Sequence, residues 1–139
     1  FRERSTGKIW LKTGDMVRWD GEYLVMTDRK KDLIKVRGEN IYPSEIEKVL
    51  AEHPGIREVS VVGAPDYEHG EKIFACIIKK DGDIPLTEKD VLDFCLEHLG
   101  KAKVPQQVSF MDDFPRNFLG KVQKNELRKM FATQKQTPA

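Results

Sequence analysis

A lysine directly after a glycine, at Gly120-Lys121, is the residue of this chain best fitted to chemistry on a charged substrate. An ammonium held by a tight turn ahead of a helix can reach a phosphate and a carboxylate together, and can offset the charge that builds as the two combine. Near the other end, Asp15 closes the step Thr13-Gly14-Asp15. A carboxylate fixed by a Gly turn can accept from two vicinal hydroxyls, such as those of a ribose. The run Asp28-Arg29-Lys30-Lys31-Asp32 includes Arg29, a guanidinium suited to a nucleotide phosphate or ribose. Taken singly, each has a plain structural counterpart: a turn Asp, a solvated charged linker, a surface Lys. Ser5-Thr6-Gly7-Lys8 lacks the upstream Gly of a phosphate loop and reads as a loop tip. His53, His69 and His98 lie far apart in sequence, so neither a catalytic triad nor a metal site is expected.

The rest of the composition narrows the field. A chain of 139 residues suits one compact domain with a short piece of another attached. Its 24 basic and 23 acidic residues nearly cancel, which argues against nucleic-acid binding by bulk electrostatics while leaving room for local cationic clusters. No run approaches the roughly 18 apolar residues of a spanning helix, and no apolar stretch follows Phe1-Arg2-Glu3-Arg4, so a signal peptide is not expected within these residues. Cys76 and Cys95 sit in apolar patterns without metal-ligand spacing, as reduced core thiols of a cytoplasmic protein would.

These residues need elements to hold them. Apolar runs at 9–11 and 16–19 read as strands, Asp20-Gly21 as a tight hairpin turn, and 22–27 as the return strand. The charged segment 28–32 marks a boundary. Beyond it, 33–36 reads as a short strand and Gly38-Glu39-Asn40 as a turn. Pro43-Ser44 opens a helix, with Ser44 and Glu47 spaced as a capping box and Ile46, Val49 and Leu50 forming its apolar stripe. Strands follow at 56–62, 73–78 and 107–110. A helix capped by Thr87 carries Val91, Leu92, Cys95 and Leu99, and a last helix covers 125–131. Strands and helices mix without strict alternation, so the class is α+β: a short sheet flanked by about three helices, preceded by a β-hairpin. The expected domains are 1–28 as the end of a larger domain, 29–32 as a hinge, 33–131 as a small lid domain and 132–139 as a flexible tail.

The motifs gain meaning in series. Thr-Gly-Asp at 13–15, Asp-Arg-Lys-Lys-Asp-Leu-Ile-Lys at 28–35 and Gly-Glu-Asn-Ile-Tyr-Pro-Ser-Glu-Ile-Glu at 38–47 come first. Val-Val-Gly-Ala-Pro-Asp at 61–66, Lys-Val-Pro at 103–105 and Pro-Arg-Asn-Phe-Leu-Gly-Lys-Val at 115–122 complete the order. The set resembles the C-terminal domain of the adenylate-forming superfamily, which holds acyl- and aryl-CoA ligases, luciferases and peptide-synthetase adenylation domains. It is closest in motif to the acid–CoA ligases.

The resemblance implies a lid that closes over a large N-terminal domain binding ATP, with its Mg, and a carboxylic acid. The acid first attacks ATP to give an acyl-adenylate and pyrophosphate. The lid then rotates and assists thiol attack by CoA, leaving AMP. Lys121 resembles the lysine of the first half-reaction. Asp15 and Arg29 resemble the nucleotide-binding pair, and Lys31 the hinge. Lys35, Arg37, Gly38 and Glu39, with Lys101 and Lys103, resemble the face presented to CoA in the second step. Alone, such a fragment would be inactive. Some positions depart from the pattern. Arg37-Gly38 stands where many CoA ligases carry Gly-Gly, Ala102 and Gln106 where some carry an aromatic and a basic residue, and His69 where some place Trp. The alternatives are a lid delivering the acyl group to a carrier-protein pantetheine, or a non-catalytic interaction module.

Overall fold

In a computed structural model, residues 15–66, 68, 70–82 and 85–132 are described, with 15–20, 23–28 and 132 described by their backbone alone. The runs at 5–8 and 9–11, Thr13-Gly14, His69 and the tail from Thr133 lie outside the described residues. The chain divides between Lys31 and Asp32 into two compact units.

The first unit contains an antiparallel pair, β1 (Asp15–Asp20) and β2 (Tyr23–Arg29). Asp20 pairs with Tyr23, so the two-residue loop is Gly21-Glu22, one residue later than the sequence pattern suggests. Gly21 takes the first loop position at φ 65°, where a Cβ would be strained. β2 runs on to Arg29, and a 3-10 turn covers Lys30–Asp32.

The second unit is built on one long antiparallel ladder. β5 (Ile56–Asp66) pairs with β6 (Gly70–Lys79) from Ile56↔Lys79 to Asp66↔Gly70. Both strands outrun the apolar cores at 56–62 and 73–78, because their ends are continued by polar and small residues that keep the backbone ladder, with Lys72 and Asp66 also paired at 3.4 Å. β3 (Ile34–Val36) and β4 (Glu39–Ile41) form a hairpin that meets β6 at Val36↔Gly70. β7 (Gln107–Phe110) lies parallel to β6, from Phe74↔Gln107 to Ile77↔Phe110. The five-stranded sheet is packed by three helices: α1 (Pro43–Ala51), α2 (Glu88–His98) and α3 (Lys124–Ala132).

Strand alternation divides the core. On β6, Ile73, Ala75 and Ile77 join one cluster, while Phe74, Cys76 and Ile78 join the other. The first cluster takes in Ile46 and Leu50 of α1 and Val91 and Cys95 of α2. The second takes in Phe114 and, from α3, Leu127 and Phe131, whose ring stacks on Phe74 at 4.3 Å. Buried on both faces, β5 and β6 read as continuous apolar runs rather than alternating ones.

Two local expectations are corrected. Glu39-Asn40-Ile41 is a strand, since the turn needs only Arg37 and Gly38. Ser44 and Glu47 make no capping box: Pro43 takes the first helical position, so the N-cap is Tyr42, which has no side-chain acceptor there. Glu47 instead pairs with Lys124 of α3 at 2.8 Å. At α2 the box does form, with Asp90 in the acidic role. Asp90 N–H donates to Thr87 Oγ1 at 3.2 Å, and Thr87 N–H donates to Asp90 Oδ2 at 2.9 Å.

Burial pushes the Cys76 thiol up to about 12 and the Cys95 thiol up to about 11. At Cys76 the nearby Lys124 ammonium opposes the rise and the Glu47 carboxylate adds to it. An unfolded thiol ionises near 8.5. Neutral burial therefore favours the fold fully below about pH 8.5, and that contribution is lost as pH rises toward the folded values. The thermal midpoint should fall between about pH 9 and pH 11. At about pH 8 an aromatic disulfide reagent should label neither thiol until denaturant is added. Rapid labelling of the folded chain would contradict the burial.

Candidate functional site

The chemistry-bearing residues fall into three places. In the first unit, the β1–β2 register sets Asp15 opposite Arg29. The side chain of Asp15 lies outside the described residues, so only its backbone placement is on view. Arg29 is the last residue of β2, exposed, and Lys31 falls within the 3-10 turn at the division between units.

The second place is the loop 116–122. Its ends meet in an antiparallel bridge, Arg116↔Val122. Arg116 fastens the loop to the sheet and to its own base. Its Nη2 pairs with Glu58 on β5, its Nε donates to Asp113 Oδ1 at 3.1 Å, and its Nη1 donates to Gly120 O at 3.3 Å. The Phe114 N–H, and after it Arg116, hold the Asp113 carboxyl below its usual range. Hydrogen bonds from Arg116 to Glu58 and Asp113 raise the guanidinium's own affinity for its proton. Gly120 sits at φ 85°, the left-handed value that turns the chain back toward Lys121. The Lys121 side chain is exposed, and its ammonium meets no carboxylate among the described residues. Phe118 and Leu119 cap the loop at 96% and 71% exposure, so the tip is apolar as well as cationic.

The third place is the β3–β4 hairpin. Arg37 at φ 51° and Gly38 at φ 82° form its two-residue loop, both in the left-handed region that a type I′ turn requires. Lys35, Arg37, Gly38 and Glu39 are all exposed. Two contacts hang the hairpin on the ladder. Lys35 N–H donates to Glu71 Oε2 at 2.7 Å, and Ile34 packs over Gly63, where a Cβ would come within 2.9 Å of its Cγ2. Of the two lysines in the 3-10 turn Lys101–Lys103, Lys101 is exposed, whereas Lys103 Nζ reaches Glu45 Oε1 at 2.6 Å. That pair ties the turn to the first turn of α1, which follows β4. Gln106 uses its side chain structurally: its Oε1 accepts from Ile73 N–H at 2.6 Å while its own N–H donates to Ile73 O at 3.0 Å.

The loop with Lys121 and the hairpin with Arg37 stand at opposite ends of one ladder. Glu58, which holds Arg116, pairs with Ile78, whereas the hairpin meets β6 at Gly70. The intervening eight steps from Ile78 to Gly70, at about 3.3 Å each, span roughly 26 Å. Glu71 and Gln106 escape sequence reasoning because their partners are backbone groups distant in the chain. Arg116 and Asn117 bond within four residues, to Asp113, Gly120, Leu119 and Lys121, and Arg116 also reaches Glu58 across the fold.

A five-stranded sheet with three helices in this arrangement matches the C-terminal domains of adenylate-forming enzymes. The AMP-binding enzyme C-terminal domain family matches residues 45–121, and the chain belongs to that family. It is 45% identical over 120 residues to a long-chain-fatty-acid–CoA ligase of Escherichia coli, covering 86% of this chain and 21% of that protein. It is 44% identical over 122 residues to a 2-succinylbenzoate–CoA ligase of Bacillus mycoides, covering 87% and 25%. The crystal structure of ATP-bound MatB from Rhodopseudomonas palustris superposes with a TM-score of 0.82 at 39% identity, over 86% of this chain and 24% of that one. The chain thus spans about a fifth to a quarter of the length of these relatives. No helix among the described residues is long and apolar enough to cross a membrane, and no group of His, Cys, Asp or Glu among them is arranged to hold a metal.

Arg37 is the one non-Gly residue with positive φ among the described residues. A side chain there costs about 1–2 kcal/mol, and Asn tolerates the conformation better. Arg37→Asn should therefore stabilise the chain by about 1 kcal/mol in urea unfolding. A lower midpoint would mean that the guanidinium's contacts outweigh the strain.

Proposed function

We propose that this chain is the lid domain of an ATP-dependent acid–CoA ligase, and that its two ends serve the two half-reactions. The observation that carries the reading is the roughly 26 Å of β5–β6 ladder between the Lys121 loop and the β3–β4 hairpin. One active centre cannot use both ends at once, so the domain must turn between steps.

In the first step Lys121 would enter the active centre. Its ammonium meets no carboxylate among the described residues, and would bridge the substrate carboxylate and the α-phosphate of ATP. The carboxylate oxygen attacks the α-phosphorus, pyrophosphate leaves, and the acyl-adenylate remains. Asp15 and Arg29, opposite each other on β1 and β2, are suited to the ribose hydroxyls and the nucleotide. We assign magnesium to the ATP phosphates in the large domain. In the second step the domain would turn about Lys31 and present the hairpin. Gly38 has open space where its Cβ would be, and would let the pantetheine arm of CoA pass close to backbone. Lys35, Arg37, Glu39 and Lys101 would border the nucleotide end of CoA. Lys103 joins them only by leaving Glu45, which makes it the weaker phosphate partner. The thiolate then attacks the acyl carbon and AMP leaves.

The acid is chosen elsewhere in such an enzyme. Comparable identity to ligases of a long-chain fatty acid and of 2-succinylbenzoate supports that division of labour. Fatty-acid metabolism is one assignment this leaves available, and the buried reduced thiols fit a cytoplasmic setting.

In the full-length ligase, Lys121→Ala should lower acid-dependent ATP–pyrophosphate exchange on the order of 10²–10³-fold. Thioester formation from preformed acyl-adenylate and CoA should be largely spared. Unchanged exchange would refute the role of Lys121, and equal loss in both steps would refute the division between the two ends.

A further inference from the structure

The geometry points to Asn117 as the positioning residue that holds Lys121 in place for adenylation. The inference rests on the lid reading above. Asn117 is the centre of the loop's hydrogen bonding. Its Oδ1 accepts from two backbone donors, Leu119 N–H at 2.9 Å and Lys121 N–H at 3.0 Å. Its own N–H donates to Lys121 O at 2.9 Å, and its carbonyl accepts from Gly120 N–H at 2.9 Å. Both backbone polar groups of Lys121 are thus tied to one residue. Arg116 closes the ring from outside through Gly120 O.

The side chain of Lys121 has four rotatable bonds and gains no support from packing, since the loop tip is exposed. The direction in which it leaves the domain is fixed by its backbone, and that backbone is fixed by Asn117. The loop contributes little hydrophobic anchorage of its own, because Phe118 and Leu119 point to solvent. Without Asn117 Oδ1, the Leu119 and Lys121 N–H groups would turn to water and the loop would sample several paths. A displacement of about 1 Å in a group acting at the reacting centre costs on the order of 10²-fold in rate. Asn suits the task because its short side chain reaches backbone N–H groups two and four residues ahead. Asp keeps that acceptor oxygen, whereas Leu keeps the size and removes it.

The test compares Asn117→Leu, Asn117→Asp and Lys121→Ala in the full-length ligase. Asn117→Leu should lower ATP–pyrophosphate exchange on the order of 10–10²-fold, with thioester formation from preformed adenylate nearly unchanged. Asn117→Asp should restore most of the exchange. In the present chain, amide hydrogen exchange at Leu119 and Lys121 should quicken in Asn117→Leu and stay slow in Asn117→Asp. Wild-type exchange activity in Asn117→Leu beside a damaged Lys121→Ala would overturn the inference alone. Equal loss in both half-reactions, or no rescue by Asp with the amides still protected, would also overturn it. An undamaged Lys121→Ala would bring down the lid reading, and this inference with it.

Discussion

The β5–β6 ladder is the constraint on which the second unit depends. Among the described residues it is the longest pairing of the sheet, and β3 and β7 are placed by where they meet β6. Its alternating side chains supply both cores, so α1 and α2 pack on one face and α3 on the other without a second layer of strands. A rigid strip of this length also separates what is attached to its ends. The Arg116–Glu58 pair holds one loop near Ile78, and the Lys35–Glu71 hydrogen bond holds the hairpin near Gly70. Neither attachment is large. Each rests on a ladder whose middle, from Ser60 to Ala64 and from Ile73 to Ile78, is buried.

Ion pairs then lock the helices to one another and to the start of the unit. Glu47–Lys124 joins α1 to α3, although the two pack on opposite core clusters. Asp32–Arg128, at 2.5 Å, fastens the first residue of the second unit to α3, with Arg128 also donating to Asn125 Oδ1 at 2.6 Å. These side chains are partly buried, so the attraction is less screened than on an open surface. Lys31, the last residue of the first unit, directly precedes this anchored residue.

Much of this architecture is legible in the sequence, and the misses share a cause. The apolar spacing of Ile46 and Leu50, the Thr87 cap and the run at 107–110 lead directly to α1, α2 and β7. The hairpin is misread because Gly38 signals a turn, while Arg37 carries no sign that it, too, adopts positive φ. β4 therefore hides inside the turn. The Ser44–Glu47 pattern misleads because the N-cap is Tyr42, two residues before Ser44, and Glu47 answers a lysine 77 positions away. Asn117 and Gln106 bond to backbone, which leaves no compositional trace. The site was more legible as an ordered series of motifs than as geometry, since no single motif specifies which end of a ladder it will occupy.

The account's central claim is that one lid serves two steps by turning about Lys31. The most direct measurement is of both half-reactions in the full-length ligase carrying Lys31→Pro, which fixes φ and stiffens the pivot. The account predicts that one half-reaction is retained and the other falls on the order of 10²-fold. Two half-reactions that are both unaffected, or that fall together, would contradict it.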